Sequence, residues 1–487
     1  MRRDIVILSH EEVTPLCEKM NGYLAEPLLS LEGFRPEIFV SNPPLALTLL
    51  CSYLNEKGMN AFPVNNPFQI PAGLERLKEE LSAAPLAVGI CTDHIFRRET
   101  LEKIVGAVRA FSPSSLIIAG GPGVGFNPDL RLEGVVNVLG PGEKTLFRLL
   151  SRLKAGENFE NLNNISYFKT GVLLENPQTA NMPLDETVFP DYGLYSPEKI
   201  RSAFVQGSRG CRFKCGFCSY GLNGLELRSP GRVSAEIRRN ADEFGICFFR
   251  FVDNNLPADK KWLLEVLRGI KDMRGLVWTC FARVDSAMDG ELLDAMAAGG
   301  CGGIFLGIES GSQKMLSAMN KMISPEMALK AVAAIKARGI AAHGNFLVGY
   351  PGETEDTLAE TGSFIKKSGL DTVYFSPLRI RPGDIPACAD AEGGLVPEGS
   401  KWKHATMDSA GAEKEAEILV KEMLSDPACP PVSNEMLCSC LNPEALRDFR
   451  AGYVEFSREI RAWHQGKLSG DAKVMLQSAE KMKKMMV

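Results

Sequence analysis

Gly210-Cys211-Arg212-Phe213-Lys214-Cys215-Gly216-Phe217-Cys218 decides how this chain is read. It follows Phe204-Val205-Gln206-Gly207-Ser208-Arg209 and spaces three thiols as Cys-x3-Cys-x2-Cys. Thiolates hold iron–sulfur clusters. A loop of this spacing can bring Cys211, Cys215 and Cys218 onto one cube of iron and sulfide. Three ligands on a four-iron (4Fe-4S) cluster leave one iron open, and an open position is what a reacting molecule needs. Structural zinc is the competing reading. Zinc sites usually take four ligands, often as two Cys-x2-Cys pairs, and no second pair follows at a suitable distance.

Downstream of the loop, strand and helix patterns alternate. Apolar stretches at Cys247–Asn255, Leu276–Asp285, Gly303–Ser312, Ala341–Thr354 and Val373–Leu378 each end in polar or glycine-rich residues. Helical patterns separate them. With Phe204-Val205-Gln206 as the first strand, this makes six βα units. The active sites of βα barrels form from loops at the strands' carboxyl ends, where the cysteine loop falls.

The 487 residues leave room for two or three domains. Hydrophobic residues make up 45% and charged residues 24%, as in ordinary soluble proteins. A net charge of −5 argues against a broad nucleic-acid footprint. Met1-Arg2-Arg3-Asp4-Ile5-Val6-Ile7-Leu8-Ser9 reads as a first strand, not a signal peptide, and no apolar run suits a membrane span. Thirteen cysteines without a signal point to reduced thiols in the cytoplasm.

Residues 1–153 carry another alternating pattern. Strands are expected at Ile5–Leu8, Asn60–Val64, Leu86–Cys91, Leu116–Ala119 and Val135–Leu139, and helices from Pro43, over Arg98–Phe111 and after Glu143. That order implies a doubly wound, Rossmann-like parallel sheet, whose ligands bind at the strands' carboxyl ends. Glycine-rich turns there, Gly120-Gly121-Pro122-Gly123 and Gly140-Pro141-Gly142-Glu143, allow a ligand close to the backbone; each also reads as a plain tight turn.

The cysteine motif, including the aromatic Phe217 before its third thiol, resembles the radical S-adenosylmethionine superfamily. So do Phe251-Val252-Asp253-Asn254-Asn255, Ala282-Arg283-Val284-Asp285, Gly307-Ile308-Glu309-Ser310-Gly311-Ser312 and Val348-Gly349-Tyr350-Pro351-Gly352-Glu353-Thr354. The front domain resembles the cobalamin-binding domain of many such enzymes through Pro43-Pro44-Leu45, Ala119–Pro122 and Gly140–Glu143. It lacks the Asp-x-His-x-x-Gly motif that ligates cobalt from below, and His10 and His94 do not replace it.

The resemblance implies a partial (β/α)6 barrel over residues 201–385. It implies S-adenosylmethionine on the cluster's open iron, cobalamin in the front domain, and an external one-electron donor such as flavodoxin or ferredoxin. Phe217 would pack near the adenine and Glu309 would accept from the ammonium or ribose hydroxyls. Arg283 would pair with the carboxylate, Asp253 would join the same site, and Gly349 would let adenine approach the backbone. Gly120, Gly121, Pro122, Gly142 and Glu143 would line the cobalamin site. For Arg283 and Asp253 an ordinary ion pair within the barrel is the competing reading, and for Gly349 a simple turn. Tyr350 and Tyr374 face the same region without an assigned role.

Residues 154–200 read as a connector with a hairpin around Lys169-Thr170-Gly171, then an extended strap marked by Pro177, Pro183, Pro190 and Pro197. Residues 386–487 read as a mainly helical extension that covers the substrate. Its cysteines, Cys388, Cys429, Cys438 and Cys440, fit no common ligand spacing.

Two functions follow. One is a cobalamin-dependent radical enzyme, most simply a methyltransferase acting on an unactivated carbon of a small molecule or peptide; rearrangement, cyclisation or oxidation are its variants. The other is a non-catalytic iron–sulfur or cobalamin protein used in sensing or electron transfer. The open iron and the downstream motifs favour the enzyme.

Overall fold

The computed structural model describes residues 2–12, 43–69, 71–179, 182–195, 200, 202–222, 224–380, 385–388, 394–398, 401–432, 441–469 and 472–485. Cys438, Cys440, Pro197 and residues 381–384 lie outside them. The described residues divide into two compact units, with the division at 199–200.

In the first unit, β1 (Ile5–Leu8), β2 (Ala61–Val64), β3 (Ala87–Cys91), β4 (Leu116–Gly120) and β5 (Val135–Val138) are parallel, in the order β2-β1-β3-β4-β5. Helices α1 (Leu45–Glu56), α2 (Pro71–Ser82), α3 (Arg98–Phe111), the short α4 (Pro122–Phe126) and α5 (Glu143–Ala155) connect them. Ile5, Val6, Ile7 and Leu8 are all buried because helices cover both faces of the sheet. The doubly wound reading of the front domain therefore holds.

The connector contains the expected hairpin, and that hairpin joins the front sheet. Its hairpin, β6 (Ile165–Lys169) and β7 (Val172–Glu175), extends the same sheet antiparallel beyond β5. A free β5 edge would leave its ladder groups unpaired, and the hairpin covers them. The chain that follows is tied back onto α1: the Asp191 amide donates to Ser52 Oγ at 2.8 Å, and the Tyr195 hydroxyl lies 3.1 Å from Thr48 Oγ1.

The second unit is built on six parallel strands: β8 (Ser202–Val205), β11 (Phe248–Phe251), β12 (Val277–Arg283), β13 (Cys301–Glu309), β14 (Ala341–Val348) and β15 (Thr372–Pro377). They neighbour one another in sequence order, as six successive βα units must. A small ribbon, β9 (Ser208–Gly210) and β10 (Leu225–Leu227), brackets the cysteine loop. Helices α6 (Pro230–Phe244), α7 (Lys260–Ile270), α8 (Gly290–Ala298), the short α9 (Gln313–Ala318), α10 (Pro325–Lys336) and α11 (Glu355–Ser368) complete the units. Asp259, Asp289 and Ser324 cap three of them through their side chains, each accepting a first-turn amide at 3.0–3.2 Å.

Along each strand, alternate residues point into the concave side. Phe204, Phe281, Glu309, Asn345, Leu347 and Tyr374 occupy that side and stay only partly covered, while their sequence neighbours are buried under the helices. The concave side is therefore open near the strands' carboxyl ends.

The tail divides its work. A hairpin of β16 (Val396–Glu398) and β17 (Lys401–Lys403), with α12 (Ser409–Ser425), reaches the turn after β14. Then α13 (Pro443–Arg447), α14 (Phe449–Ser469) and α15 (Ala472–Met485) pack on the first residues of the strands. Phe449, Tyr453 and Phe456 share a core with Phe248, Val277 and Ala341. Phe449 stacks on Phe248 with ring centres 5.5 Å apart. These last helices close the amino end of the barrel, opposite the cysteine loop. The last helices of the expected substrate cover thus lie at the other end of the strands, and only Trp402 and Ala412, from β17 and α12, are seen at the turn after β14.

Candidate active site

The cysteine loop is held at both ends and in its middle. Cys211 N–H donates to Gly224 O at 3.0 Å across the base of the β9–β10 ribbon. Gly216 N–H donates to Met319 O at 2.8 Å, and its carbonyl accepts from Ala387 N–H at 2.9 Å. Asn320 Nδ2 donates to Lys214 O at 2.9 Å. A Cβ at Gly216 would lie 2.2 Å from the Tyr350 hydroxyl, so a side chain has no room there. Tyr350 is thus buried under the loop.

The polar end of β11 braces this loop residue by residue. Asp253 is 1% exposed and accepts from Gly207 N–H at 3.0 Å and from the Ser208 hydroxyl. Burial pushes its carboxyl up to about 6, against the pull of those bonds. Asn254 Nδ2 donates to Gly210 O at 3.3 Å. Asn255 Oδ1 accepts from Arg283 N–H at 3.0 Å. Asp253 therefore lies beneath the turn that leads into the cysteines, with both oxygens bonded to it.

Arg283, at the end of β12, is 4% exposed. Its Nε and Nη2 donate to the two Asp285 oxygens at 3.0 and 3.3 Å, and Nη2 also donates to Lys321 O at 2.6 Å. Its Nη1 donates to Cys215 Sγ at 3.3 Å. The guanidinium lies 3.8 Å from the centre of the Phe213 ring. These contacts leave one of its five N–H donors.

Glu309 ends β13 with φ +71, at an irregularity in the β13–β14 ladder. Such a backbone is uncommon for a side-chain-bearing residue and clusters at functional sites. Its Oε1 accepts from Lys321 Nζ at 2.7 Å. Lys321, 4% exposed, also lies 5.5 Å from the centre of the half-buried Phe217 ring. Burial raises the Cys215 thiol while Lys321 and Arg283 oppose it, and burial pushes Cys218 up to about 11.

Gly349 follows β14 with φ +94. Its N–H bonds Glu353, and its carbonyl accepts from His404 Nε2 at 3.1 Å when that nitrogen carries the proton. A Cβ there would meet Ala412 at 2.6 Å and Trp402 at 2.7 Å, so the chain's own tail occupies the open side of this glycine.

In the first unit, the Gly120–Gly123 turn wraps Thr92 and Asp93 at the carboxyl end of β3. Thr92 N–H and Oγ1 donate to Gly120 O at 2.7 and 2.9 Å, and Gly123 N–H donates to Thr92 O at 3.1 Å. Gly121 has φ +108, and a Cβ on it would lie 2.4 Å from Asp93 Oδ1. Pro122 opens α4. Gly142 packs against Leu50, and Glu143 is buried in the first turn of α5. Packing within the chain accounts for these glycines.

The structure gathers Cys211, Cys215, Cys218, Phe217, Arg283 and Glu309 around one loop, with Asp253 bracing it from below. Among the described residues no three His, Cys, Asp or Glu side chains are drawn together as around a single ion. Phe213 and Asp285 lie in motifs quoted above but without a role there, and Lys321 lies outside them. Asp285 carried a signal, lying two residues from Arg283; Lys321 carried none, since nothing local marks a lysine as buried.

Residues 205–365 match the model of the Radical SAM superfamily. An uncharacterized methyltransferase of Pyrococcus horikoshii is 30% identical over 369 residues, which span 70% of this chain and 77% of that protein. The chain belongs to the radical SAM superfamily.

Another relative is the anaerobic magnesium-protoporphyrin IX monomethyl ester cyclase of Cereibacter sphaeroides. It is 27% identical over 350 residues, 67% of this chain and 56% of that enzyme. Among solved structures, the radical S-adenosylmethionine methyltransferase TsrM from Kitasatospora setae, described with cobalamin and a [4Fe-4S] cluster bound, superposes with a TM-score of 0.65 at 18% identity. The match covers 98% of this chain and 99% of that one. At that identity the likeness is one of fold. The chain is thus a radical SAM enzyme with an additional doubly wound unit, and no helix among its described residues is long and apolar enough to cross a membrane.

Proposed function

We propose that this radical SAM enzyme methylates an unactivated carbon of its substrate, using a 4Fe-4S cluster, S-adenosylmethionine and cobalamin. The observation that carries the reading is the clamped loop of Cys211, Cys215 and Cys218 at the carboxyl ends of the parallel strands, with a buried guanidinium on one thiol. Three soft thiolate donors suit an iron–sulfur cluster and leave a coordination position free. The similarity to the uncharacterized methyltransferase of Pyrococcus supports the reaction class, and the fold likeness to cobalamin-bound TsrM supports the corrinoid.

When bound, these groups supply reductive cleavage of a sulfonium, a carbon-centred oxidant and a transferable methyl group. The chain's residues bind and orient. Cys211, Cys215 and Cys218 hold the cluster. Phe217 offers a flat apolar face beside the loop. Glu309, already charge-paired with Lys321, offers its second oxygen to an ammonium or hydroxyl donor. Asn345 and Tyr374, on the open concave side, present polar atoms to the substrate. In the first unit, backbone at the carboxyl ends of β4 and β5 would hold the corrinoid, which fits the missing Asp-x-His-x-x-Gly motif. Electrons would come from a flavodoxin or ferredoxin.

The test is anaerobic reconstitution with iron, sulfide and cobalt measured together, followed by turnover with a strong one-electron reductant. Release of both S-adenosylhomocysteine and 5′-deoxyadenosine is expected. Release of 5′-deoxyadenosine alone would defeat methylation and favour cyclisation, the second reading, which the similarity to the Cereibacter cyclase supports. No cleavage of S-adenosylmethionine by a loaded, reduced protein would defeat both.

A further inference from the structure

We infer that Arg283 is a positioning residue that sets the reduction potential of the cluster through Cys215. The inference rests on the functional reading above.

Arg283 is bonded to a thiol of the cysteine motif from 68 residues away. Its other bonds go to Asp285 and to the Lys321 carbonyl. Phe213, from within the cysteine loop itself, lies against its face. The guanidinium is therefore locked between two residues of the loop. The resemblance would have it pair with the carboxylate of S-adenosylmethionine; here four of its five N–H donors are committed within the chain.

The charge balance around Cys215 is uneven. Lys321 acts on the same thiol, and Glu309, 2.7 Å from its ammonium, offsets only part of that charge, so Arg283 adds to a positive surrounding and is the cation that also donates an N–H to the sulfur. Arg283 is paired with Asp285, whose side chain is 29% exposed against 5% for the arginine. Water screens the carboxylate and not the guanidinium. Cys215 thus feels a net positive charge together with a donated N–H. Reduction adds one electron to the cluster–thiolate assembly, so a fixed cation and an N–H···S bond stabilise the reduced form more than the oxidised one. Arg283 raises the potential and makes the cluster easier to reduce.

The experiment is an EPR-monitored redox titration of the anaerobically reconstituted full-length protein, with iron and sulfide counted for every variant. Arg283→Gln should shift the midpoint to more negative values, and Arg283→Lys should shift it less. Asp285→Asn should shift it the other way, because it leaves the guanidinium uncompensated. The opposite signs are the readout: a loop merely loosened by either change would move both variants alike. Should Arg283→Gln fail to retain its cluster, Asp285→Asn decides alone. An unchanged or negative shift in Asp285→Asn, or an unchanged midpoint in a fully loaded Arg283→Gln, would overturn the assignment while leaving the superfamily chemistry intact. Wild-type protein that assembles no four-iron cluster would instead overturn the functional reading, and this inference with it.

Discussion

Lys321 Nζ lies 2.7 Å from Glu309 Oε1, joining the end of β13 to the loop that follows α9. Their side chains are 4% and 13% exposed, so each charge has given up most of its water. Removing one partner leaves the other buried and unpaired, which costs about 3–5 kcal/mol. Lys321→Met should lower the unfolding free energy by that order, measured by urea denaturation of the cluster-free protein. The double variant with Glu309→Gln should recover part of the loss. Equal stability of Lys321→Met and wild type would show the pair to be solvated.

Gly216 and Tyr350 form a steric pair. A methyl group at Gly216 would stand 2.2 Å from the Tyr350 hydroxyl, and overpacking of this kind costs about 1–3 kcal/mol. Gly216→Ala should therefore displace the cysteine loop and lower the iron bound per chain after reconstitution. Tyr350→Phe in the same chain removes the clashing oxygen and should restore part of the iron. No restoration would mean that the loop fails for another reason.

Glu353 predicts a pH dependence. Burial raises its carboxyl from 4.5 to about 7, the Gly349 N–H opposes the rise, and the nearby Glu415 adds to it. Between those values the folded chain keeps a proton that the unfolded chain has lost. The contribution is complete below about 4.5 and is lost as pH rises through about 7. It amounts to at most about 3 kcal/mol. Glu353→Gln keeps an acceptor for Gly349 N–H and stays neutral. Its unfolding free energy should lack this fall with pH, and identical profiles for variant and wild type would contradict the assignment.

Phe449 tests the closure of the barrel's amino end. It stacks on Phe248, lies against Gly302 and Gly303, and is 2% exposed. Phe449→Ala should cost about 3–5 kcal/mol in denaturation. The cluster's EPR spectrum should stay unchanged, because the cysteines are at the opposite strand ends. A changed spectrum would mean that this end communicates with the loop.

The sequence by itself determined what depends on neighbours along the chain. Cys-x3-Cys-x2-Cys lies within one loop, so its spacing already says that three thiols can meet one cluster. Each βα unit is a local period of apolar residues followed by a polar or glycine-rich end, and six such periods in order imply six parallel strands. The front sheet was legible for the same reason. Tertiary structure decided what joins residues far apart in the chain. Arg283 reached Cys215 rather than an open site because Asp285, Phe213 and the Lys321 carbonyl meet around it. The open side of Gly349 filled because Trp402 and Ala412 return to it from the tail. The last helices closed the amino end of the barrel, since an amphipathic stripe states that a face must be buried but not against what. Periodicity records a residue's own environment; which distant partner supplies it is settled only when the chain packs.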